Sequence, residues 1–592
     1  MKLRQDKIEW LSRFKVRAAV LATYAILTVI FTYPVAFSAN TIPGTGGDGY
    51  WFLWDFWVFK NALFTHSSPI FTSYIYYPIG VNLAFSTTTF FNAALSIPLQ
   101  LIWGLPYAYT FVWLMNFALS GYGAFALMRY LDGSTKVAFI SGLIFMFCPY
   151  HFDHGLAHMN LIATAWIPLY ALFFIKTVRE NKRSNAVIAA LFLSITAFCD
   201  FYYVVFLLTL SVLIVAYYFW TERKHASFAG ILRRTALAFV VFVALTLPLL
   251  FPMLQELLHG GGYFYTGGGF IALSADLAAF IVPSSLHPLF GPAVTPFYQH
   301  YTYVNIVFLG YVGLVLSALA IIRQRTREVR FWALALGIFF VLSLGAVLQV
   351  NGVVVRVPGA VPYIGNAAVP LPYYILEHLP VFSIARAPAR WDIMVMLCVS
   401  VLSGYGLQYL LSRWRSSERK VRKENVLCLV VAGLILFEFL SVPYPTATTA
   451  VPAFYQKMGT DPQDYAVFEV APLSTSEMTP SHIMYYQTIH HKQLVNGYVS
   501  RTPLGSLQFI NTEPVVRLLS NIEGTQPGNV TVNTTSLDVS VLSNYNIKYV
   551  IVHRENLTQQ QIDLVQALFE NASKGAPVVY EEGPMIVYAL NK

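Results

Sequence analysis

Eleven stretches of this chain are apolar over roughly the 20 residues that carry a helix across a bilayer. They lie near residues 16–39, 107–131, 137–152, 159–178, 186–200, 202–220, 235–254, 303–322, 331–349, 392–412 and 426–443. Hydrocarbon offers no partner for backbone N–H and C=O groups, so each stretch must satisfy its own and become a helix. Charged residues make up only 11% of the 592, against about 25% in soluble domains, which excludes a soluble enzyme or a disordered tail as a description of the whole. The expected fold class is an α-helical polytopic membrane protein of about 11 transmembrane helices.

The basic residues decide the orientation. Of the 38 Lys and Arg, 26 fall in six clusters, at 2–17, 129–136, 176–183, 223–234, 323–330 and 413–423. The opposite loops hold only Lys60, Arg356, Arg386 and Arg390. Positive residues collect on the cytoplasmic side, so the amino terminus is expected inside and the carboxyl terminus outside, in a multi-pass protein of the plasma membrane. The net charge of +9 thus reports topology, with no nucleic acid as partner.

One further apolar run, 88–104, would invert every later loop if it crossed, and it is expected to lie along the outer interface. The first span lacks a convincing small-residue cleavage site and reads as a retained anchor. Cys148, Cys199, Cys398 and Cys428 all sit in or at the ends of spans, which gives no disulfide framework and no Cys-based zinc site.

These readings divide the chain into a membrane domain, 1–445, with large outer loops at 40–106, 255–302 and 350–391, and a soluble extracytoplasmic α/β domain, 446–592. Within the latter, 465–470 and 547–552 read as buried strands. Thr558 and Gln561 are spaced for a capping box, and 577–580 with 585–590 suggest a closing hairpin. Asn529, Asn533, Asn556 and Asn571 open Asn-x-Ser/Thr sequons on this side. No nucleophile elbow, Walker loop, dinucleotide fingerprint or internal repeat is present.

Candidate chemistry gathers on the outer face. Residues 184–222 must cross twice, yet 39 positions rise only about 58 Å as helix, barely two crossings of about 30 Å. Asp200, near the midpoint, is thereby held at or below the outer surface, where a carboxylate is costly unless it lines a wet cavity. The short span from 137 sinks His151, Asp153 and His154 to a similar depth, so both point to one polar cavity.

Asp153, His154 and His158 permit two readings. A divalent metal can be drawn on them, with His154 and His158 sharing a helix face, and a metal-free hydrogen-bonded cluster or a sugar-phosphate contact explains the same residues. In the first outer loop Asp48 follows Gly44, Gly46 and Gly47 and precedes a helix bearing Trp51, Trp54 and Trp57. It reads both as a helix N-cap, with the tryptophans as an interfacial belt, and as a general base. Arg386 and Arg390 either snorkel to lipid headgroups or capture a phosphate with their planar donor forks. His259, Asp276 and His287 are weaker candidates for substrate contact.

Taken together, Gly47-Asp48-Gly-Tyr-Trp-Phe-Leu-Trp54, Cys148-Pro-Tyr-His-Phe-Asp-His154 with His158-Met-Asn160, Asp200-Phe-Tyr-Tyr203, Ser274-Ala-Asp276 through His287-Pro288 and Arg386-Ala-Pro-Ala-Arg390 carry a resemblance. An acid after the first span, many spans and an external tail make the chain similar to the C-type (GT-C) glycosyltransferases. That superfamily includes protein O-mannosyltransferases, aminoarabinose transferases and the catalytic subunit of oligosaccharyltransferase, and the likeness is nearest to little-characterised prokaryotic members. The resemblance implies that Asp48 is the catalytic base and that Asp153 stands where some members hold a metal. It implies a sugar carried on a polyprenyl phosphate and moved, with inversion, to a glycan, lipid or protein acceptor outside the membrane. Asparagine-linked transfer is not implied, because no Trp-Trp-Asp motif is present. A transporter or flippase for a lipid-linked glycan, and a non-catalytic assembly protein of the cell surface, are the alternative readings.

The charge distribution makes a direct prediction about sidedness. With Glu418→Cys a membrane-impermeant thiol reagent should label from the cytoplasmic side, and with Ser520→Cys from the other. Labelling of both from one side would overturn the eleven-span topology.

Overall fold

The computed structural model describes residues 2–221, 228–259, 262–265, 271–299, 306–356, 362–363, 366–379, 386–413, 420–470, 480–522, 537–570 and 576–590. Of the sequons, Asn529, Asn533 and Asn571 lie outside the described residues.

Every one of the eleven apolar runs overlaps an α-helix, as the backbone argument requires. Six helices among the described residues are long and apolar enough to cross a membrane, namely Phe14–Phe31, Leu105–Asp132, Thr135–Gly155, Phe201–Thr221, Phe228–Leu258 and Pro388–Ser412. Arg183–Ala197 and Tyr311–Arg323 are shorter apolar helices. The run expected at the interface forms the helix Phe90–Trp103, whose 14 residues rise about 21 Å, too little to cross the hydrocarbon core as a straight helix. The protein is a mostly helical polytopic membrane protein.

The chain divides into two compact units, and they do not follow it in two consecutive blocks. The first comprises residues 1–39, 110–246 and 267–446, and the second 40–109, 247–266 and 447–592. The division read from the sequence placed 40–109 with the membrane part, whereas compactness groups these residues with the carboxyl-terminal ones. The reason is a set of hydrogen bonds between 40–109 and the distant tail, given with the site below.

In the first unit the helix Asp392–Ser412 is the centre of packing, with every residue from Asp392 to Leu407 buried. A helix apolar all round must be enclosed on all sides. It meets Tyr311–Arg323 through small residues, as helices in lipid do. Ser403 Oγ donates to the Gly313 carbonyl at 3.0 Å and lies 3.2 Å from Ser317 Oγ. A Cβ on Gly406 would stand 2.0 Å from the Leu316 carbonyl oxygen, so only glycine allows this approach.

The second unit is built on a mixed five-stranded sheet. Its strands are β1 (Ala466–Val470), β2 (Gln493–Leu494), β3 (Ile547–His553), β4 (Val578–Glu582) and β5 (Met585–Ala589), in the spatial order β2-β1-β3-β5-β4. β1 is parallel to both β2 and β3, while β5 is antiparallel to β3 and β4. The expected strands and closing hairpin are therefore present. So is the capping box, with Gln561 N–H donating to Thr558 Oγ1 at 3.4 Å and Thr558 N–H to Gln561 Oε1 at 2.8 Å, ahead of the helix Gln559–Glu570. Along the outer side of β2 the chain segment 74–77 takes the edge hydrogen bonds, Tyr77 N–H to the Leu494 carbonyl at 2.9 Å and Leu494 N–H to the Tyr74 carbonyl at 2.8 Å. An open sheet edge is thereby covered.

Two buried acids tie the second unit together. Glu469 of β1 accepts from Tyr455 at 3.1 and 3.2 Å and pairs with His553 of β3 at 2.8 Å. Asp55, 1% exposed, accepts from the Thr89 N–H at 3.0 Å, just before the helix Phe90–Trp103. Burial pushes its carboxyl up to about 7, against the opposing pull of the Thr89 bond.

Two predictions follow from packing and from this acid. Gly406→Ala should lower the thermal unfolding midpoint of the detergent-solubilised protein, by overpacking worth about 1–3 kcal/mol. Gly433→Ala, where a Cβ would meet nothing within 4 Å, should leave it unchanged or slightly raised. An acid whose folded pKa is raised stabilises most below its unfolded pKa and loses that contribution as pH rises through the folded one. Between about pH 4 and 7 the wild type should therefore lose stability relative to Asp55→Asn, by at most about 1.4 kcal/mol per pH unit. A midpoint difference that stays flat with pH would contradict this.

Candidate active site

The first outer loop presents its acid through glycine. Gly44, Gly46 and Gly47 have φ of 94°, 85° and 50°, the left-handed region where a side chain is strained. A Cβ on Gly46 would also come within 2.5 Å of the Tyr50 ring. Gly47 is the N-cap of the helix Asp48–Phe64, so Asp48 is its first helical residue and not the cap expected from the sequence. In that position a carboxylate faces the positive end of the helix dipole. The Tyr109 hydroxyl packs beside Gly49, and Asp48 is within electrostatic range of it.

The rest of this helix turns inward. Trp51, Trp54 and Trp57 are 2%, 0% and 4% exposed, which replaces the expected interfacial belt with a buried core. Their cover comes from the far end of the chain, chiefly the helix Pro480–His490. Ser481 Oγ donates to the Gly47 carbonyl at 2.7 Å, and Trp54 Nε1 to Gln487 Oε1 at 2.6 Å. Tyr50 donates to the Thr448 carbonyl at 2.6 Å, and its ring lies 3.8 Å from that of His482. Burial holds His482 down to about 4, so it is neutral at ordinary pH. Sequence reading missed Ser481, His482 and Gln487, because nothing local marks a residue whose partner lies more than 400 positions away.

The other predicted residues belong to the first unit. Asp200, 6% exposed, is fixed on both oxygens, by Asn160 Nδ2 at 2.5 Å and by the Tyr202 N–H at 2.6 Å. Arg390, in the short 3-10 turn Pro388–Trp391, lies with its guanidinium 4.6 Å from the centre of the Tyr202 ring. Asp200, Tyr150 and Tyr203 are its other electrostatic neighbours. The Tyr150 and Tyr203 hydroxyls are 2.9 Å apart. His154 packs edge-on against Tyr150 at 4.3 Å and is also within range of Arg390. Asp200, Arg390 and His154 are thus brought together, around a cation that stacks on one ring and faces one fixed carboxylate. Arg386 is half-buried, just ahead of the turn.

Several candidates have other duties. The helix carrying Asp153 and His154 ends at Gly155, and His158 caps the next, so the two histidines do not share a helix face. Their rings sit edge-on at 5.8 Å, Asp153 accepts from the Ile306 backbone, and among the described residues no three His, Cys, Asp or Glu side chains are grouped to hold a metal ion. The metal set drawn on Asp153, His154 and His158 is therefore not formed. His151 spends its ring nitrogens on Cys148 and Thr164. Asp276 and His287, 2% and 1% exposed, bind backbone. Asp276 receives the N–H groups of Ala278 and Gly352, while His287 receives those of Leu289 and Phe290 and meets the Phe437 carbonyl. They hold loops in place. A residue the sequence reading passed over is Asp392, fully buried, neither of whose oxygens has a hydrogen-bond partner in the structure.

Comparison with solved structures shows that this fold is shared by known proteins. The arabinofuranosyltransferase AftD from Mycobacteria matches 97% of this chain, which spans 40% of the length of AftD, at 14% identity and a TM-score of 0.54. ArnT from Cupriavidus metallidurans, in the apo state, matches at 11% identity and a TM-score of 0.51, over 96% of this chain and 98% of that one. The same protein bound to undecaprenyl phosphate matches at 10% identity and a TM-score of 0.50, over 97% and 98% of the two chains. At these identities the likeness is one of fold. No curated protein sequence matches the chain. A family model does, over residues 19–366, and since this is more than half of the length, the chain belongs to the family described as Domain of unknown function (DUF6311).

Proposed function

We propose that this protein is a membrane glycosyltransferase that moves a sugar from a polyprenyl-phosphate carrier to an acceptor on the extracytoplasmic side. The observation that carries the reading is the seating of Asp48. An acid is set at the first turn of a helix by a loop of positive-φ glycines, and a hydrogen bond from Ser481 of the carboxyl-terminal region ties that loop down at Gly47. Rigid placement on an element end is what a general base requires. The fold shared with AftD and ArnT supports the reaction class, and the ArnT structure bound to undecaprenyl phosphate supports the donor.

In the reaction so read, the acceptor oxygen attacks the anomeric carbon while its proton passes to the Asp48 carboxylate. The bond from that carbon to the phosphate oxygen breaks, and its electron pair leaves on the polyprenyl phosphate. A single displacement inverts the centre. Arg390, with Arg386, would meet the leaving phosphate through a planar donor fork. Asp200, pinned by Asn160 and the Tyr202 N–H, would position Arg390.

The test separates transfer from transport. Purified protein is supplied with polyprenyl-phosphate sugars and extracted surface glycans, and release of free lipid phosphate is measured. Asp48→Asn keeps the shape of the residue but cannot take a proton, and turnover should fall by about 10² or more with lipid binding unchanged. Arg390→Lys keeps the charge but loses the fork, and release should slow while the fold survives. Equal release by wild type and Asp48→Asn would end the base assignment and favour a protein that carries the lipid without reacting it.

A further inference from the structure

The first unit contains a cavity of about 290 Å³ that the reaction above does not use. It lies between the carboxyl ends of the helices Trp166–Arg179 and Phe201–Thr221 and the amino end of Arg327–Ser343. From Asp200 and Tyr202 to Tyr217 and Tyr218 the chain climbs about 24 Å of helix axis, so the cavity is at the opposite end of the unit from Arg390. Its walls are of two kinds. Ile175, Val178, Ile214 and Trp332 are apolar, and Arg179, Arg327 and Tyr218 add polar residues to the lining.

The charge of this lining is net positive. Glu328 is the lone carboxylate among the lining residues, 3.5 Å from Arg179, in a pair whose side chains are 40% and 36% exposed. Such a pair is weak and engages one of the five N–H donors of the guanidinium. The Tyr217 hydroxyl donates to the Arg327 carbonyl at 3.0 Å, which fixes the backbone at the amino end of its helix. The flanking loops 176–183 and 323–330 each carry four Lys or Arg, so the surrounding field has the same sign. A cavity lined by apolar side chains and by two arginines, at the end of membrane helices, matches an anion attached to a hydrocarbon chain.

We propose that this cavity binds the phosphate group of an anionic membrane lipid, with Arg179 and Arg327 at the phosphate and the aliphatic and tryptophan wall against the carbons next to it. Its volume, at the lower end of the roughly 300–1,000 Å³ of ligand pockets, suits a headgroup and the first carbons of a tail. Two membrane components share that chemistry, a phospholipid such as phosphatidylglycerol and a polyprenyl phosphate. Basic pockets between helices hold lipid headgroups in this manner, and an occupant here would clamp three helices, one of which begins beside Asp200.

The experiment titrates the full-length protein, stripped of lipid in detergent, separately with phosphatidylglycerol, phosphatidylcholine and undecaprenyl phosphate, and counts bound lipid by native mass spectrometry. Phosphatidylglycerol or undecaprenyl phosphate should bind about tenfold or more tighter than phosphatidylcholine, as two arginines acting on one anion imply. In Arg179→Gln/Arg327→Gln that preference should shrink to within about threefold. The anionic lipid whose binding is lost names the source of the phosphate, while carrier lipid held through Arg390 survives the double substitution and is lost instead in Arg390→Lys. Equal binding of phosphatidylcholine to the wild type, or preferences for phosphatidylglycerol and for undecaprenyl phosphate that both survive Arg179→Gln/Arg327→Gln in an Arg390→Lys background, would overturn the proposal. A photoactivatable phosphatidylglycerol and its polyprenyl-phosphate counterpart supply a second measurement on the wild type. Attachment of either within 166–179, 201–221 or 327–343 supports the site, and attachment of both confined elsewhere refutes it.

Discussion

A chain in hydrocarbon can hydrogen-bond only to itself, and this constraint sets the terms for everything else in the protein. It forces the apolar runs into helices and makes their ends the places where backbone and charge return to water. The charged residues of the candidate site accordingly lie at helix ends. Asp48 begins one helix, Asp200 precedes another, and Arg390 sits in the turn that leads into Asp392–Ser412. Once helices are obligatory, association depends on how closely they approach, which is why glycine and serine line the contact between the 311–323 and 392–412 helices.

The second unit solves a different problem with ordinary soluble chemistry. A five-stranded sheet with alternating partners buries an apolar core of residues such as Phe468, Val550, Val552 and Leu568. Into this core it admits Glu469, which meets Tyr455 and His553 there. The same unit receives residues 40–109, so the loop bearing Asp48 rests on a folded support and not on lipid alone. Hydrogen bonds made by Gly47, Tyr50 and Trp54 to the carboxyl-terminal residues fix the segment that carries Asp48, as the role of base proposed for it would need.

Much of this was legible in the sequence because it is written locally. Run length gave the helices, and Thr558 with Gln561 gave a cap that the structure forms. Asp48, Asp200 and Arg390 stood out because a charge beside an apolar run needs a reason. What failed depended on exact turns or on distant partners. One residue of register moved Asp48 from the cap to the first turn, and a helix ending at Gly155 separated His154 from His158. The tryptophans looked interfacial because the segment that buries them is encoded far along the chain. Asp276 and His287 looked like substrate contacts because loop-bracing and ligand-binding use the same residue types, and only the positions of the Ala278, Gly352, Leu289 and Phe290 N–H groups tell them apart. Asp392 was hidden for the opposite reason, since an acid at the start of a helix is so ordinary that its complete burial could not be foreseen.

The hydrogen bond from Tyr50 to Thr448 spans 398 positions, and this separation has a meaning in time as well as in space. A ribosome adds about 5–20 residues per second, so roughly 20–80 s pass between the emergence of the first partner and the second. Through that interval the early helices can already be threaded into the bilayer while the segment after them waits, its indoles and its Gly47 carbonyl unmet. Assembly of the Asp48 loop is consequently a late event in biosynthesis, closed by the last quarter of the chain. A nascent protein that has completed its membrane insertion but not its tail would hold the lipid-facing architecture without the support of the Asp48 loop.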